Sequence, residues 1–252
     1  MNNRIEILTK SKTTAFRNLK RSKFRKQDGL FLLEGLRLCE EAFNSVLEIT
    51  ACVTEKGFDA LSIPTGITHF QATRTQIEQI SDSQTPQGII CIAKTPTPTD
   101  LPEPAIGEIV LALDGLSDPG NLGAILRSAL WFGLKHILLG PGCVDPFSPK
   151  VVRSSMGAIA HLNIQHTKNL LPDIETWKGN GGDAAALHMI GETLKNYQPE
   201  RGLLLVLGSE AHGVDPQILN ICTPLSIKRT GAGESLNAAM AASIALYELK
   251  GR

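Results

Sequence analysis

The stretch LDGLSDPGNLGAILRSALWFG, residues 113–133, begins as a strand and ends as a helix, with three glycines between them. Glycines at such a turn are typical of loops that hold a nucleotide. Their spacing, G-x4-G-x2-G, differs from the dinucleotide fingerprint G-x-G-x-x-G, and no Walker-type G-K-[ST] follows. A nucleotide-binding oxidoreductase is therefore disfavoured, and the ligand has to be inferred from the neighbouring residues.

The helix predicted over 119–132 has an apolar stripe and a second stripe of small residues, in which Arg127 is the one bulky side chain. The apolar positions are Leu122, Ile125, Leu126 and Ala129, and the small ones are Gly120, Gly123 and Ala124. Small residues let another backbone or a ligand approach, with the guanidinium reaching past them. In the alternative, the glycines serve helix packing and Arg127 pairs with a structural carboxylate. These residues alone leave both open.

Three nearly continuous aliphatic runs predict strands of a parallel sheet that helices cover on both faces. They are EIVLALD (108–114), HILLG (136–140) and LLLVLG (203–208), and HLNIQH (161–166) is a weaker candidate. Further helices are predicted over 149–159 and 235–249. Asp118-Pro119 and Ser148-Pro149 each have the pattern of an N-cap followed by proline at the first helical position. The prediction is an α/β fold with a mostly parallel C-terminal sheet.

Four prolines in AKTPTPTDLPEPAI, residues 93–106, predict a semi-rigid connector between two domains. We accordingly divide the chain into a first domain at 1–94, a linker at 95–106 and a second domain at 107–252. Within the first domain a predicted helix precedes two predicted strands, which indicates a small α/β unit. These elements are the helix over 30–43 and the strands VLEITACVT (46–54) and GIICIAK (88–94).

The composition suits a core-forming protein, with 42% hydrophobic residues in 252. No apolar run approaches the roughly 18 residues of a membrane span, and the N-terminus lacks the apolar segment of a signal peptide. The five cysteines are scattered without a C-x-x-C pair, which argues against a zinc site and a disulfide framework. We expect a cytoplasmic protein with no metal and no membrane contact.

Basic residues are concentrated at the N-terminus, although 25 basic and 25 acidic residues balance over the chain. Residues 10–26 hold eight Lys/Arg and no acid. A run of one sign repels itself unless a polyanion or nearby acids relieve it, so it favours nucleic-acid contact. A solvated helix face is the alternative, and the same two interpretations apply to Lys150 and Arg153.

Three polar loops follow predicted strands, where open parallel sheets bind ligands. They are GLSDPGNLG (115–123), GSEAHG (208–213) and KRTGAGES (228–235). His212 is interpreted as a solvated loop histidine, and Ser235 as a candidate N-cap. Asn237 is poorly suited to a helix interior and is expected to point at a partner. An arginine, a carboxylate and small polar groups without metal ligands suit an activated electrophile, such as the methyl group of a sulfonium.

Three motifs in this order resemble those of the SpoU/TrmH family, the RNA ribose 2'-O-methyltransferases of the SPOUT superfamily. They are DPGNLGAILR (118–127), LVLGSE (205–210) followed by Gly213, and SLNAAMAA (235–242). KFRKQDGLFLLEGLRLCEEAF (23–43) is similar to the family's small ribosomal-protein-like RNA-binding domain. The resemblance implies a deep trefoil knot in the C-terminal domain, a homodimer and S-adenosylmethionine as cofactor.

The resemblance also implies site residues. Cofactor-lining residues would be Gly208, Ile227 and Leu236, and active-site residues would be Asn121, Arg127, Glu210, Ser235 and Asn237. In the family the arginine is the proposed activator of the ribose 2'-hydroxyl. Since a charged guanidinium offers no acceptor, we favour electrostatic stabilisation as the role of Arg127.

One departure from the family pattern is Ile227-Lys228-Arg229 in place of Ile-Pro-Met. The two charges would either add a phosphate contact or alter the cofactor wall. We expect S-adenosylmethionine-dependent 2'-O-methylation of ribose in structured RNA, with large-subunit ribosomal RNA as substrate. The alternatives are transfer RNA and a non-catalytic ribosome-assembly factor that binds RNA.

Overall fold

The computed structural model describes residues 4–209 and 212–251, which form two compact units. The first unit contains the residues up to Thr97 together with Asp145–His161. The second contains Pro98–Val144 and the residues from Leu162 onward. Within those described ranges, every helix is too short or too polar to cross a lipid bilayer.

Strands and helices alternate along most of the described chain. In chain order they are β1 (Ile5–Ile7), α1 (Lys10–Asn18), α2 (Ser22–Asp28), β2 (Leu30–Glu34), α3 (Leu36–Phe43), β3 (Ile49–Glu55), β4 (Thr68–Ala72), α4 (Arg74–Ile80), β5 (Ile89–Lys94), β6 (Ile109–Asp114), α5 (Pro119–Trp131), β7 (His136–Leu139), α6 (Pro149–Ser154), β8 (Asn163–His166), α7 (Leu170–Gly179), β9 (Asp183–Thr193), β10 (Leu203–Gly208), α8 (Pro216–Ile221), β11 (Thr223–Ser226) and α9 (Ala238–Lys250). Short 3-10 helices lie at Ala158–Ala160 and Leu194–Asn196.

The first unit has a mixed sheet in the order β1-β4-β3-β5-β2, in which β5 runs antiparallel to both neighbours. The strands predicted at 46–54 and 88–94 are present as β3 and β5. The helix predicted over 30–43 is wrong in its first half, which is strand β2. Antiparallel pairing with β5 requires an extended chain there, and Gly35, at φ 101°, separates the strand from α3.

Residues 145–161, which the sequence analysis assigned to the second domain, pack within the first unit. Arg25 Nη2 lies 2.6 Å from Asp145 Oδ2. The rings of Phe31 and Phe147 have centroids 4.9 Å apart. These contacts bring together residues distant in the chain, so no local sequence signal could have indicated the grouping. The assignment of functions to the predicted domains stays a prediction.

The second unit is built on a six-stranded sheet in the order β11-β9-β10-β6-β7-β8, with every neighbouring pair parallel. This confirms the parallel C-terminal sheet and the strands predicted at 108–114, 136–140, 161–166 and 203–208. The central strands β6 and β10 are buried except for their last residues, Asp114 and Gly208, which are half-buried. Helices α7 and α8 contribute Trp177, Ile174 and Ile218 to the core on one face.

The two predicted proline-led helices begin at the expected residues but differ in their caps. Asp118 caps α5, with its Oδ1 accepting from the backbone N–H of Asn121 at 2.8 Å. Ser148 holds the N-cap position of α6, yet its side chain makes no capping bond. Helix α6 ends at Ser154 rather than 159, because the backbone turns into positive φ at the following Met156 and Gly157.

The sequence analysis did not anticipate α7 or β9. Strand β9 has buried alanines in its first half, at 184–186, and exposed residues such as Met189 and Ile190 in its second. Neither half shows the alternation or the β-branched enrichment by which a strand is recognised.

Candidate active site

The first loop leaves strand β6 and enters helix α5 through a tight turn. Gly115 has φ 71°, a left-handed conformation that favours glycine. A Cβ on Gly120 would lie 3.0 Å from Asp118 Oδ1, the atom that caps the helix. The glycines therefore serve the turn and its cap, and the loop presents Asn121 in the first turn of α5.

Helix α9 starts at the third loop, and Asn237 is its N-cap. Asn237 Oδ1 accepts from the backbone N–H groups of Ala239, at 3.0 Å, and Met240, at 3.3 Å. Its Nδ2 donates to Asn121 Oδ1 at 3.0 Å. The expectation that Asn237 points at a partner is confirmed. The alternative of Ser235 as N-cap is wrong, because the helix begins three residues later.

Helices α5 and α9 pack against each other and keep these asparagines together. The hydroxyl oxygens of Ser128 and Ser243 lie 2.7 Å apart across the helix pair. Both helices also carry buried small residues, among them Gly123 on α5 and Ala242 on α9.

Arg127 lies on α5 with an exposed side chain, six residues after Asn121. In the part of the chain that the structure describes, no carboxylate forms an ion pair with it. The described residues therefore give no support to a structural ion pair. The guanidinium is available to a ligand from solvent.

The second loop leaves β10 beside the first, because Gly208 is the register partner of Asp114 at the end of β6. Reciprocal backbone hydrogen bonds between Ser209 and Gly213, of 3.1 and 2.9 Å, close the loop. A Cβ on Gly208 would lie 2.0 Å from the carbonyl carbon of Gly213. Glu210, the predicted carboxylate of this loop, lies outside the described residues.

The third loop exposes both charged and apolar side chains. Lys228 and Arg229 are exposed, and Arg229 Nη1 donates to Gly233 O at 3.3 Å. Ser235 is also exposed, Ile227 is half-buried, and Leu236 is 46% exposed although it is apolar.

The structure thus brings the first loop to the second at the ends of β6 and β10, and to the third through Asn121 and Asn237. Their catalytic and cofactor-binding roles stay predictions. Asp114 belongs to this arrangement and was missed: its Oδ2 accepts from the backbone N–H of Asp215 at 2.9 Å, which ties the end of β6 to the N-cap residue of α8. An aspartate that ends a buried strand just before the first glycine was the available signal.

A thiol also lies near the end of β6. Burial raises the pKa of Cys143, whose Sγ is 3.2 Å from Leu113 O. A raised pKa disfavours the thiolate, which is the nucleophilic form of cysteine, at neutral pH. Among the described residues, no group of three or more His, Cys, Asp or Glu side chains is placed to hold a metal ion.

Family models match most of the chain. Residues 108–247 match the SpoU rRNA Methylase family, and residues 10–91 match the MRM3-like substrate binding domain. The chain is 31% identical over 261 residues to the 23S rRNA (guanosine(2553)-2'-O)-methyltransferase RlmP of Bacillus subtilis. That alignment covers 98% of this chain and 99% of the relative.

Two solved structures are similar over nearly the whole chain. A TrmH-family protein from Porphyromonas gingivalis is 32% identical, with a TM-score of 0.86 over 97% of this chain and 99% of that one. An AdoMet-bound rRNA methyltransferase from Sinorhizobium meliloti is 27% identical, with a TM-score of 0.86 over 97% of each chain. With the first family model covering more than half of its residues, and with the motifs on three adjoining loops, the chain belongs to the SpoU rRNA methylase family.

Proposed function

We propose that this chain transfers a methyl group from S-adenosylmethionine to a ribose 2'-hydroxyl of large-subunit ribosomal RNA. The observation that carries the proposal is the 3.0 Å bond between Asn237 Nδ2 and Asn121 Oδ1. This bond joins two motif loops, through residues that are 116 positions apart in the chain. Asn121 lies on α5, the helix that also carries the exposed Arg127. Family membership supplies the reaction class.

The residues of the second and third loops fit the proposed cofactor. Leu236 and Ile227 leave apolar surface uncovered, which an adenine ring would bury. Because Gly208 has no side chain and lies against Gly213, the end of β10 offers main-chain groups for hydrogen bonding. When bound, S-adenosylmethionine supplies an electrophilic methyl group on a positively charged sulfur.

We infer that Arg127 stabilises negative charge on the ribose oxygen as its proton leaves. A charged guanidinium only donates hydrogen bonds, so it offers no atom that could accept the hydroxyl proton as a general base. The Asn237–Asn121 bond holds the first turn of α5 in place, and with it Arg127, six residues further along the same helix. Glu210 and Ser235 are assigned to the site by resemblance alone.

Ribosomal RNA is proposed over transfer RNA because the Bacillus relative is named for 23S rRNA and a substrate-binding-domain model matches residues 10–91. The Lys228-Arg229 pair is proposed to contact RNA phosphate, since both side chains are exposed beside the site. A cytoplasmic location would fit a bacterial ribosomal RNA substrate. The rival is an assembly factor that binds RNA without methylating it.

We also propose that the chain is a homodimer. Trp131 on α5 and Met240 and Tyr247 on α9 are 83%, 58% and 57% exposed. Met240 and Tyr247 are seven residues apart and lie on one side of α9, and the Tyr247 ring lies against Phe132, the residue after Trp131, with ring centroids 6.4 Å apart. Large apolar residues grouped in this way are typical of protein interfaces, and a second copy would cover them. The trefoil knot is proposed from the family and is compatible with the insertion of β10 between β9 and β6.

The first test is transfer of labelled methyl from S-adenosylmethionine into unmodified ribosomal and transfer RNA transcripts, with digestion to nucleosides. We expect label in a 2'-O-methylnucleoside from ribosomal RNA. Arg127→Ala should lower the rate at least about 100-fold, the magnitude typical of a lost transition-state charge contact. Lys135→Ala, which removes an exposed cation after the same helix, is the matched control. If the protein binds RNA but transfers no label to the transcripts or to native ribosomal precursors, the result would favour the assembly factor.

A second substitution tests whether the guanidinium group of Arg127 is specifically required. Arg127→Lys keeps the charge but loses the planar donor geometry. Full activity of this variant across a pH–rate profile would contradict a specific guanidinium role.

A further inference from the structure

We propose that the exposed face of α1 and α2 is the surface on which the first unit holds RNA phosphates, and that Arg25 and Asp145 are positioning residues for it. This inference rests on the proposed function, because it names where the substrate docks. The α1–α2 basic face is defined as Lys10, Arg17, Arg21, Lys23 and Lys26.

The structure separates the eight basic residues of 10–26 into two groups. Three serve the fold: Lys12 places its ammonium 4.7 Å from the centroid of the Phe70 ring, Lys20 Nζ donates to Ser81 O, and Arg25 is buried. The five of the α1–α2 basic face are exposed. Within residues 4–209 and 212–251 no carboxylate pairs with any of them.

Helical spacing groups these exposed charges. Lys10 and Arg17 are seven residues apart on α1, so they lie two turns apart on one side of the helix. Lys23 and Lys26 are three residues apart on α2 and are neighbours on its surface. Arg25, on the same short helix, is only 5% exposed and does not belong to this surface.

The buried Arg25 fixes the turn that joins the two helices. Its Nη1 donates to Leu19 O at 2.8 Å and to Lys20 O at 2.9 Å, carbonyls at the end of α1. Its Nε and Nη2 donate to Asp145 Oδ2 at 3.1 and 2.6 Å, and Ser22 Oγ donates to the same oxygen at 3.3 Å. A lysine has no planar fork with which to make all these bonds.

Charge complementarity identifies the partner. The segment from Lys10 to Lys26 contains no acid, and the five like charges on these two consecutive helices repel one another without a counter-charge. A phosphate backbone supplies regularly spaced negative charge, and its binding releases counterions. The occupant we assign is therefore RNA; an anionic membrane is the competing occupant that the test must distinguish.

The test compares two charge-matched double variants of the full chain. Lys23→Gln/Lys26→Gln alters the α1–α2 basic face, and Arg37→Gln/Lys56→Gln removes two other exposed charges of the same unit. The dissociation constant for an unmodified large-subunit ribosomal RNA transcript is measured without cofactor at 50 and 200 mM salt. Kd rises with roughly the 0.9 power of the salt concentration for each phosphate contact. Loss of two contacts should therefore make the ratio of Kd at 200 mM to Kd at 50 mM about tenfold smaller than in the wild type.

The control pair should keep the wild-type salt dependence. Equal salt dependence in both variants would overturn the proposal, as would binding to vesicles of anionic phospholipid in place of RNA. RNA binding is measured without methyl transfer. A protein without methyltransferase activity would therefore refute the proposed reaction, and the binding comparison would still test the α1–α2 basic face.

The positioning role is tested with Asp145→Ala. Removal of a negative charge next to a basic surface would by charge alone tighten RNA binding, whereas loss of the anchor should weaken it several-fold and lower the salt dependence. Arg25→Lys keeps the charge and part of the bonding, so it should be intermediate. Circular dichroism verifies folding. RNA binding by a folded Asp145→Ala variant that equals or exceeds the wild type would refute the positioning role, and the Lys23/Lys26 comparison tests the surface independently.

Discussion

At the scale of single residues, the Asn237 amide joins two functions that sequence alone cannot separate. Its oxygen caps α9, and its nitrogen bonds Asn121 on α5. Arg25 combines stability and function in the same way, because a buried guanidinium holds a turn whose outward charges are proposed to bind substrate. In both cases the polar side chain makes its hydrogen bonds within the protein, and the residue at the other end of those bonds determines which segment it holds in place.

Substitution of Asn237 separates the two functions. Asn237→Ala removes both, and we expect a loss of about 1 kcal/mol from the cap, measured by thermal denaturation, together with a lower kcat. Asn237→Ser keeps a capping oxygen but lacks the amide donor. It should retain wild-type stability and still lose activity. Equal activity of Asn237→Ser and the wild type would show that the bond to Asn121 does not support catalysis.

At the scale of elements, the ends of β6 and β10 and the starts of α5 and α9 meet in one place. The strand ends are held together by the pairing of Gly208 with Asp114, and Asp114 also accepts from the N–H of Asp215 at the start of α8. The helices are held by buried small residues and by the Ser128–Ser243 contact. The three loops of the site are therefore anchored at their ends on paired strands and packed helices, which restricts their movement.

Gly208→Ala tests how closely the second loop is packed on its strand. The added methyl group would lie 2.0 Å from Gly213 C, so the backbone must move. We expect a loss of about 3 kcal/mol or failure to fold, assessed from Tm and soluble yield. Gly231→Ala, where a methyl group meets nothing within 4 Å, is the control. A Gly208→Ala variant as stable as the control would contradict this close packing.

At the scale of the whole molecule, each unit contains a partly buried histidine. Burial lowers the pKa of His69 in the first unit, where its Nε2 lies 2.8 Å from Thr54 Oγ1. Burial also lowers the pKa of His136 in the second, where Nδ1 lies 3.0 Å from Asn163 Nδ2. Both imidazoles are therefore neutral in the folded protein at neutral pH.

Stability should fall as the pH drops. An unfolded imidazole takes up its proton near pH 6.5, and the folded ones do so at lower pH. Below about 6.5 the unfolded state binds more protons, so stability present at pH 7.5 is lost toward pH 5. We expect His69→Gln/His136→Gln to show a smaller decrease in Tm between these pH values than the wild type. The exposed His212→Gln is the control, and an undiminished decrease in the double variant would refute the assignment.

Much of the architecture was predictable because its causes are local. Continuous aliphatic runs such as LLLVLG require burial on both faces, so they predicted the central strands of a parallel sheet. Proline after an N-cap predicted the start of α5. Strand β2 and α7 could not be obtained this way: Leu30–Glu34 has the composition of a helix segment, and only its pairing with β5 makes it a strand.

The sequence by itself determined the parallel sheet, the three motif loops at its carboxyl edge and the concentration of positive charge in residues 10–26. Only the tertiary structure decided that Asn121 and Asn237 meet, that Arg25 and Lys20 are used internally, and that residues 145–161 pack with the first unit. The physical reason is sequence distance. Hydrophobic pattern and capping act within a few residues, whereas each of these outcomes depends on a partner at least five residues away and in most cases more than a hundred.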